Sequence, residues 1–143
     1  MTLVDGLKTL LGTMESFRVK SQGFHWNITG KDFPQYHSLT DSIYSDADAS
    51  IDPLAEYIRS LDEFAPGSMT RFLELSIIEE QTKIPKAELM LKELLSDNDK
   101  IIELLKEVFD AATEAKENGI ANFIADRQSM HGKWHWQLGA TIS

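Results

Sequence analysis

The chain contains no cysteine. Disulfides and thiolate metal sites are therefore excluded, and histidine and carboxylate remain as its strong side-chain ligands. No apolar run approaches the ~18 residues that a membrane-spanning helix needs. The opening segment MTLVDGLKTLLG has no basic leader, no uninterrupted apolar stretch and no small-residue cleavage site. That pattern predicts a mature, cytoplasmic protein without a membrane partner. Internal repeats and low-complexity segments are absent too. Positive charge is scarce: 14 Lys and Arg stand against 23 Asp and Glu, for a net charge of −9. Such a balance argues against a general phosphate-binding surface, whose affinity comes from Lys and Arg, and suits attraction of cations. The sharpest local absence lies between Lys31 and Arg59. No basic residue falls there, but six carboxylates do: Asp32, Asp41, Asp46, Asp48, Asp52 and Glu56.

What is present reads as helix. At 143 residues the chain is long enough for one domain, residues 1–143, with a substantial core. Leu3, Leu7, Leu10, Met14, Phe17, Phe24 and Ile28 recur at helical spacing and predict a first amphipathic helix. After the turn Thr29-Gly30-Lys31, Asp32 is the expected cap of a second helix with Pro34 in its first turn. Tyr36, Thr40, Ile43, Ala47, Ser50, Leu54, Ile58 and Leu61 form its core stripe, and Pro53 predicts a local kink. Pro66-Gly67 breaks the chain, and Ser68 can cap a short helix through Met69, Phe72 and Leu73. Pro85 is expected to open a third long helix. Its stripe of Ala87, Leu91, Leu94, Asn98, Ile101, Leu105, Val108 and Ala112 passes unbroken through the polar SDND patch. A turn at Glu117-Asn118-Gly119 then leads to a fourth, carrying Ile120, Phe123, Ile124, Arg127, Met130, Trp134 and Leu138. The fold class is all-α. Four long helices, with a short extra one in a long middle connection, match the ferritin-like variant of the four-helix bundle.

The acidic run carries the chemistry. His37 and Asp41 are four residues apart, as are Asp52 and Glu56, and 11 residues separate Asp41 from Asp52. All four therefore share a stripe about 100° round from the core face. They cannot share an ion within one straight helix, because 11 residues rise ~16 Å and ligands must lie within roughly 2.0–2.6 Å of the metal. A second copy of the same helix, running antiparallel, brings Asp52 and Glu56 of one chain opposite His37 and Asp41 of the other. Two-fold symmetry makes the arrangement reciprocal, with two equal sites per dimer. The expectation is a metal site at a subunit interface and an obligate homo-oligomer. His and carboxylate without thiolate suit Fe, Mn, Zn or Mg. The competing reading is a helical interaction module whose acidic face is simply solvated.

Ferritin-like proteins often hold a di-metal site inside one bundle with Glu-x-x-His motifs, and this chain has no E-x-x-H. HWNITGKDFPQYHSLTD followed by IDPLAE instead resembles the Dps family, the miniferritins named as DNA-binding proteins from starved cells. ADRQSMHGKWHWQL, PGSM and LSIIEE resemble the same family, so the likeness spans nearly the whole chain. It implies a ferroxidase centre with two iron ions per site, at a two-fold interface. His25, His37 and Asp41 would come from one subunit, and Asp52 and Glu56 from its mate. It further implies a dodecamer that oxidises Fe(II) with hydrogen peroxide or O2 and stores ferric mineral in its hollow. Trp26, beside His25, is a candidate electron donor by the same resemblance, or a packing aromatic. By the same resemblance Glu117 and Asp126 are candidate acids of an ion-entry pore at a three-fold axis, or else solvated surface acids.

The chain also departs from the pattern. Lys8 is the only basic residue before Arg18, where DNA-binding members carry a Lys-rich tail, and Tyr57 stands where an Arg is common. The expectation is little or no direct DNA binding. A DNA-compacting protein with little ferroxidase activity is the alternative. His131 and His135, four apart, are expected to be structural, and Arg127, on the core stripe, to pair with a buried or interface carboxylate.

Overall fold

A computed structural model describes residues 1–143 and contains five helices and no strand. These are α1 (Leu3–Asn27), α2 (Phe33–Ser60), the short α3 (Met69–Leu75), α4 (Ala87–Glu114) and α5 (Asn118–Ile142). No helix is long and apolar enough to cross a membrane. α1 packs along α2, α4 along α5, and α1 also meets α4 and α3. The four long helices bury most of the predicted stripes, with Tyr36, Leu61, Ala87, Phe123, Arg127 and Met130 half-buried at the margin. Leu7, Phe17, Ile43, Ile58, Leu91, Leu105, Val108, Ile124 and Leu138 are among the side chains fully removed from solvent.

α4 continues through SDND because two of those polar residues have partners inside the bundle. Asp97 Oδ2 accepts from Lys20 Nζ at 2.7 Å, and Lys20 also lies 3.2 Å from Glu93. Asn98 Nδ2 donates to the His131 carbonyl at 2.9 Å. Lys20 and Ser21 fill the gap in the α1 stripe between Phe17 and Phe24. Buried polar groups are tolerated where they find such partners. Burial nevertheless pushes the Asp97 carboxyl above its ordinary value, only partly opposed by Lys20.

The helix ends differ from expectation in three places. Asp32 precedes α2, but its side chain makes no capping hydrogen bond. At φ −99° and ψ 19° its backbone lies outside the extended region that aims an N-cap side chain at the first turn. α4 starts at Ala87, two residues after Pro85, with Lys86 in extended backbone before it. The reversal before α5 comes earlier than Gly119: Lys116 takes the left-handed conformation (φ 59°) and Glu117 N donates to the Ala112 carbonyl at 2.9 Å. That bond closes the end of α4 in the Schellman manner, and Asn118 and Gly119 are already helical. Pro53 lies within α2, which runs on to Ser60. Ser68 caps α3 as expected, accepting from Arg71 N at 3.2 Å.

α3 is docked on α1 by two adjacent residues. Thr13 Oγ1 accepts from Ile77 N at 3.1 Å. A Cβ at Gly12 would fall 2.7 Å from the Phe72 carbonyl oxygen and 2.8 Å from Leu75 Cβ. Backbone cannot yield as a side-chain tip can, so Gly12→Ala is expected to lift α3 and cost roughly 1–3 kcal/mol. Urea unfolding at fixed protein concentration checks this. An unchanged midpoint would mean that α3 is loosely held.

Candidate metal centre

The last turn of α1 and the second turn of α2 bring His25 and His37 together. Each histidine holds the other's backbone. His25 Nδ1 donates to the His37 carbonyl at 2.8 Å, and His37 Nδ1 donates to the His25 carbonyl at 2.9 Å. A carbonyl only accepts, so both protons sit on Nδ1, and in the neutral rings Nε2 keeps its lone pair. Metal-binding imidazoles are oriented in this way, through a hydrogen bond from the other nitrogen. The rings stack with centroids 3.8 Å apart and planes 17° from parallel. Phe33 stacks on His37 at 4.8 Å, and Tyr44 lies tilted 5.1 Å from His25. Phe33 is four residues before His37 and Tyr44 seven after it, spacings that mark the same helix face. Trp26 is 67% exposed, and the ring neighbours of His25 are His37 and Tyr44 instead.

The six carboxylates of the acidic run divide into two groups. Asp46 is gripped by Arg127 of α5 at 2.8 and 2.7 Å and accepts from Trp134 Nε1 at 3.0 Å. Asp48 lies 3.8 Å from Arg18 Nε on α1. The other four, Asp32, Asp41, Asp52 and Glu56, make no ion pair. Asp41 accepts only from Ser45 Oγ, at 3.2 Å. Asp41, Asp52 and Glu56 are exposed along α2. Within one chain no three His, Asp or Glu side chains gather to hold an ion. The chain thus presents His25, His37 and Asp41 at one end of α2, with Asp52 and Glu56 farther along it.

The comparisons with known proteins agree with this architecture. The family model for the ferritin-like domain matches residues 6–143. The chain is 30% identical over 124 residues to the DNA protection during starvation protein of Brevibacillus brevis, covering 87% of this chain and 83% of that protein. It superposes on Dps from Staphylococcus aureus with a TM-score of 0.95 at 27% identity, covering 99% and 95% of the two chains. The match to Dps from Vibrio cholerae, described as a member of a broad superfamily of ferritin-like diiron-carboxylate proteins, has a TM-score of 0.94 at 27% identity and covers 99% and 89%. This chain belongs to the ferritin-like family as a Dps miniferritin.

The remaining histidines of this Dps have internal partners. His131 Nδ1 donates to Asn98 Oδ1 at 2.7 Å, and its Nε2 accepts from Arg127 Nη2 at 3.2 Å. Both nitrogens are occupied, and burial with the adjacent Arg127 charge lowers its pKa to about 3. His135 is exposed and pairs with Asp99 at 2.7 Å. They point to different surroundings in spite of their spacing. Arg127 takes the carboxylate partner expected of it. Burial on its own pushes the Asp46 carboxyl up, but the hydrogen bonds and charge of Arg127, with the Trp134 N–H, outweigh it and hold Asp46 below its ordinary value.

Proposed function

We propose that this Dps is a ferroxidase and iron store. It oxidises Fe(II) in pairs, with hydrogen peroxide or O2, at two equivalent sites on a two-fold interface. Ferric mineral collects inside a closed shell of twelve copies. Each site takes His25, His37 and Asp41 from one copy and Asp52 and Glu56 from the next.

One observation carries the reading. Arginines from other helices lie beside the two α2 acids outside the proposed ligand set, gripping Asp46 and reaching Asp48 at 3.8 Å, and leave Asp41, Asp52 and Glu56 without a cation. Exposed acids held apart from every base in the fold are suited to a cation supplied from outside. The histidine stack supports a dinuclear site. An imidazole lone pair lies in its ring plane, and here the planes are nearly parallel with centroids 3.8 Å apart. An ion bound in the plane of one ring is out of the plane of the other. Two ions, spaced as in two-metal sites at roughly 3.5–4 Å, fit better than one.

The chemistry follows from the donors. Carboxylates favour Fe(III), and imidazole tolerates Fe(II). Five side chains shared by two ions leave positions open for the oxidant. With peroxide, two Fe(II) each lose one electron, and the peroxide takes both electrons and two protons and leaves as two waters. Removing Fe(II) and peroxide together protects nucleic acid without contact, which fits a net charge of −9.

The test adds Fe(II) and then peroxide to metal-free protein and follows iron and protein on one size-exclusion elution. Iron should co-elute with a large closed particle. Asp52→Ala/Glu56→Ala should slow oxidation more than about tenfold, since even outer-shell changes at metal sites cost that much. Equal rates, or iron precipitating while the protein runs as a monomer, would overturn the proposal.

A further inference from the structure

The stripe holds one carboxylate more than the proposed sites use. Asp48 lies seven residues after Asp41 and four before Asp52, on the same side of α2 as both. Its only charged partner is Arg18, which reaches across from α1. Arg18 Nε is 3.8 Å from Asp48 Oδ1, its Nη2 is 3.4 Å from Glu15 Oε2, and its Nη1 donates to Gln22 Oε1 at 3.1 Å. Glu15 and Gln22, one turn to either side on α1, hold the guanidinium beside Asp48.

The register of the proposed interface says where Asp48 falls in the assembly, and the inference rests on that reading. Pairing His37 with Glu56 and Asp41 with Asp52 places the two-fold axis between residues 46 and 47. The two copies of Asp48 then lie only ~4.5 Å apart along the helix direction. They sit between the two metal sites. Ser45 and Ala49 are exposed on this stretch of α2, and neither is bulky enough to keep the helices apart. Two facing carboxylates at a symmetry axis repel each other, or else hold a cation of their own.

We propose that Arg18 is a specificity-determining residue of the interface. By pairing with Asp48 it reserves the centre of the stripe, so the interface takes two ions and not three. Each copy brings its own Arg18, so each Asp48 has a guanidinium beside it, shared with Glu15. Without Arg18, the paired Asp48 carboxylates bind a third divalent cation on the axis.

Equilibrium dialysis against Zn(II), which has no redox chemistry, tests this by counting ions per interface on assembled protein. Wild type should bind two that are lost in Asp52→Ala/Glu56→Ala. Arg18→Gln should bind one more than wild type, and Arg18→Gln/Asp48→Asn should return to the wild-type count. Should Arg18→Gln run small without metal, recovery of the large particle with Zn(II) reads the same third ion through assembly. An Arg18→Gln count equal to wild type, or a smaller particle that Zn(II) does not restore, overturns the role of Arg18. A wild-type count that Asp52→Ala/Glu56→Ala leaves unchanged overturns the dinuclear interface itself, which is a distinct failure.

Discussion

Arg127→Ala is expected to destabilise the protein by about 3–5 kcal/mol, the usual cost of leaving one member of a buried ion pair alone. Arg127 and Asp46 side chains are 11% and 18% exposed, so solvent screens the pair only weakly. Both terminal guanidinium nitrogens, Nη1 and Nη2, are engaged, at 2.8 and 2.7 Å. Truncation leaves Asp46 with the Trp134 N–H as its remaining donor and takes from His131 Nε2 the group it accepts from. Asp46 also ties α2 to α5, on the side away from the proposed ligand stripe. The variant should therefore lose register along α2 as well as stability, and bind Zn(II) more weakly at the proposed sites. A double-mutant cycle with Asp46→Ala isolates the pair, and urea unfolding at one protein concentration reads it. The double variant should recover much of the loss, because it removes the orphaned charge. A single-variant cost below about 1 kcal/mol would mean that Asp46 is solvated and the pair behaves as a surface bridge.

Periodicity made the architecture legible. The stripes of α1, α2, α4 and α5 supply most of the buried core, because an apolar side chain every three or four positions has only one way to leave water. Local conformation was harder to read. Gly119 marks a turn by residue type, yet the chain reverses at Lys116, whose left-handed backbone closes the last carbonyls of α4. Asp32 has the right type for a cap but the wrong backbone angles. The acidic run showed its excess charge in sequence, but not which acids were already satisfied. Arg18 and Arg127 come from other helices, and nothing in local spacing announces that they pair with Asp48 and Asp46. The His25 and His37 lock escaped for a related reason: each ring bonds a backbone carbonyl, which carries no residue identity. The proposed interface rests on a contradiction in the sequence. Four candidate ligands on one stripe could not meet, and the fold of a single chain leaves them apart.

Acid should unfold this protein partly through His131. All four long helices surround it: Phe17 of α1 lies 6.0 Å from the ring, Asp46 of α2 acts through its charge, Asn98 of α4 accepts from Nδ1, and Arg127 of α5 donates to Nε2. A second proton would have to sit on Nε2, aimed at the guanidinium. Burial first, and Arg127 second, therefore hold the folded pKa at about 3, against an ordinary value of 6.5. The unfolded chain takes up this proton as pH falls through about 6.5, and the folded chain does not until about 3. Stability from this group is thus complete above pH 6.5 and is lost progressively below it, by roughly 1.4 kcal/mol per pH unit. Asp46 acts in the same sense at lower pH. Its folded value is depressed, so its contribution is present above the ordinary carboxylate range and lost as pH falls through the folded value. Asp97 runs the other way, since its raised pKa lets the folded state take a proton first. His131→Gln retains a donor and an acceptor but cannot titrate. Between pH 6.5 and 4.5 wild type should lose about 2 kcal/mol more than this variant, read from urea midpoints at fixed concentration. Parallel pH profiles would show that the ring is protonated in the fold, and Arg127 would then need a different partner.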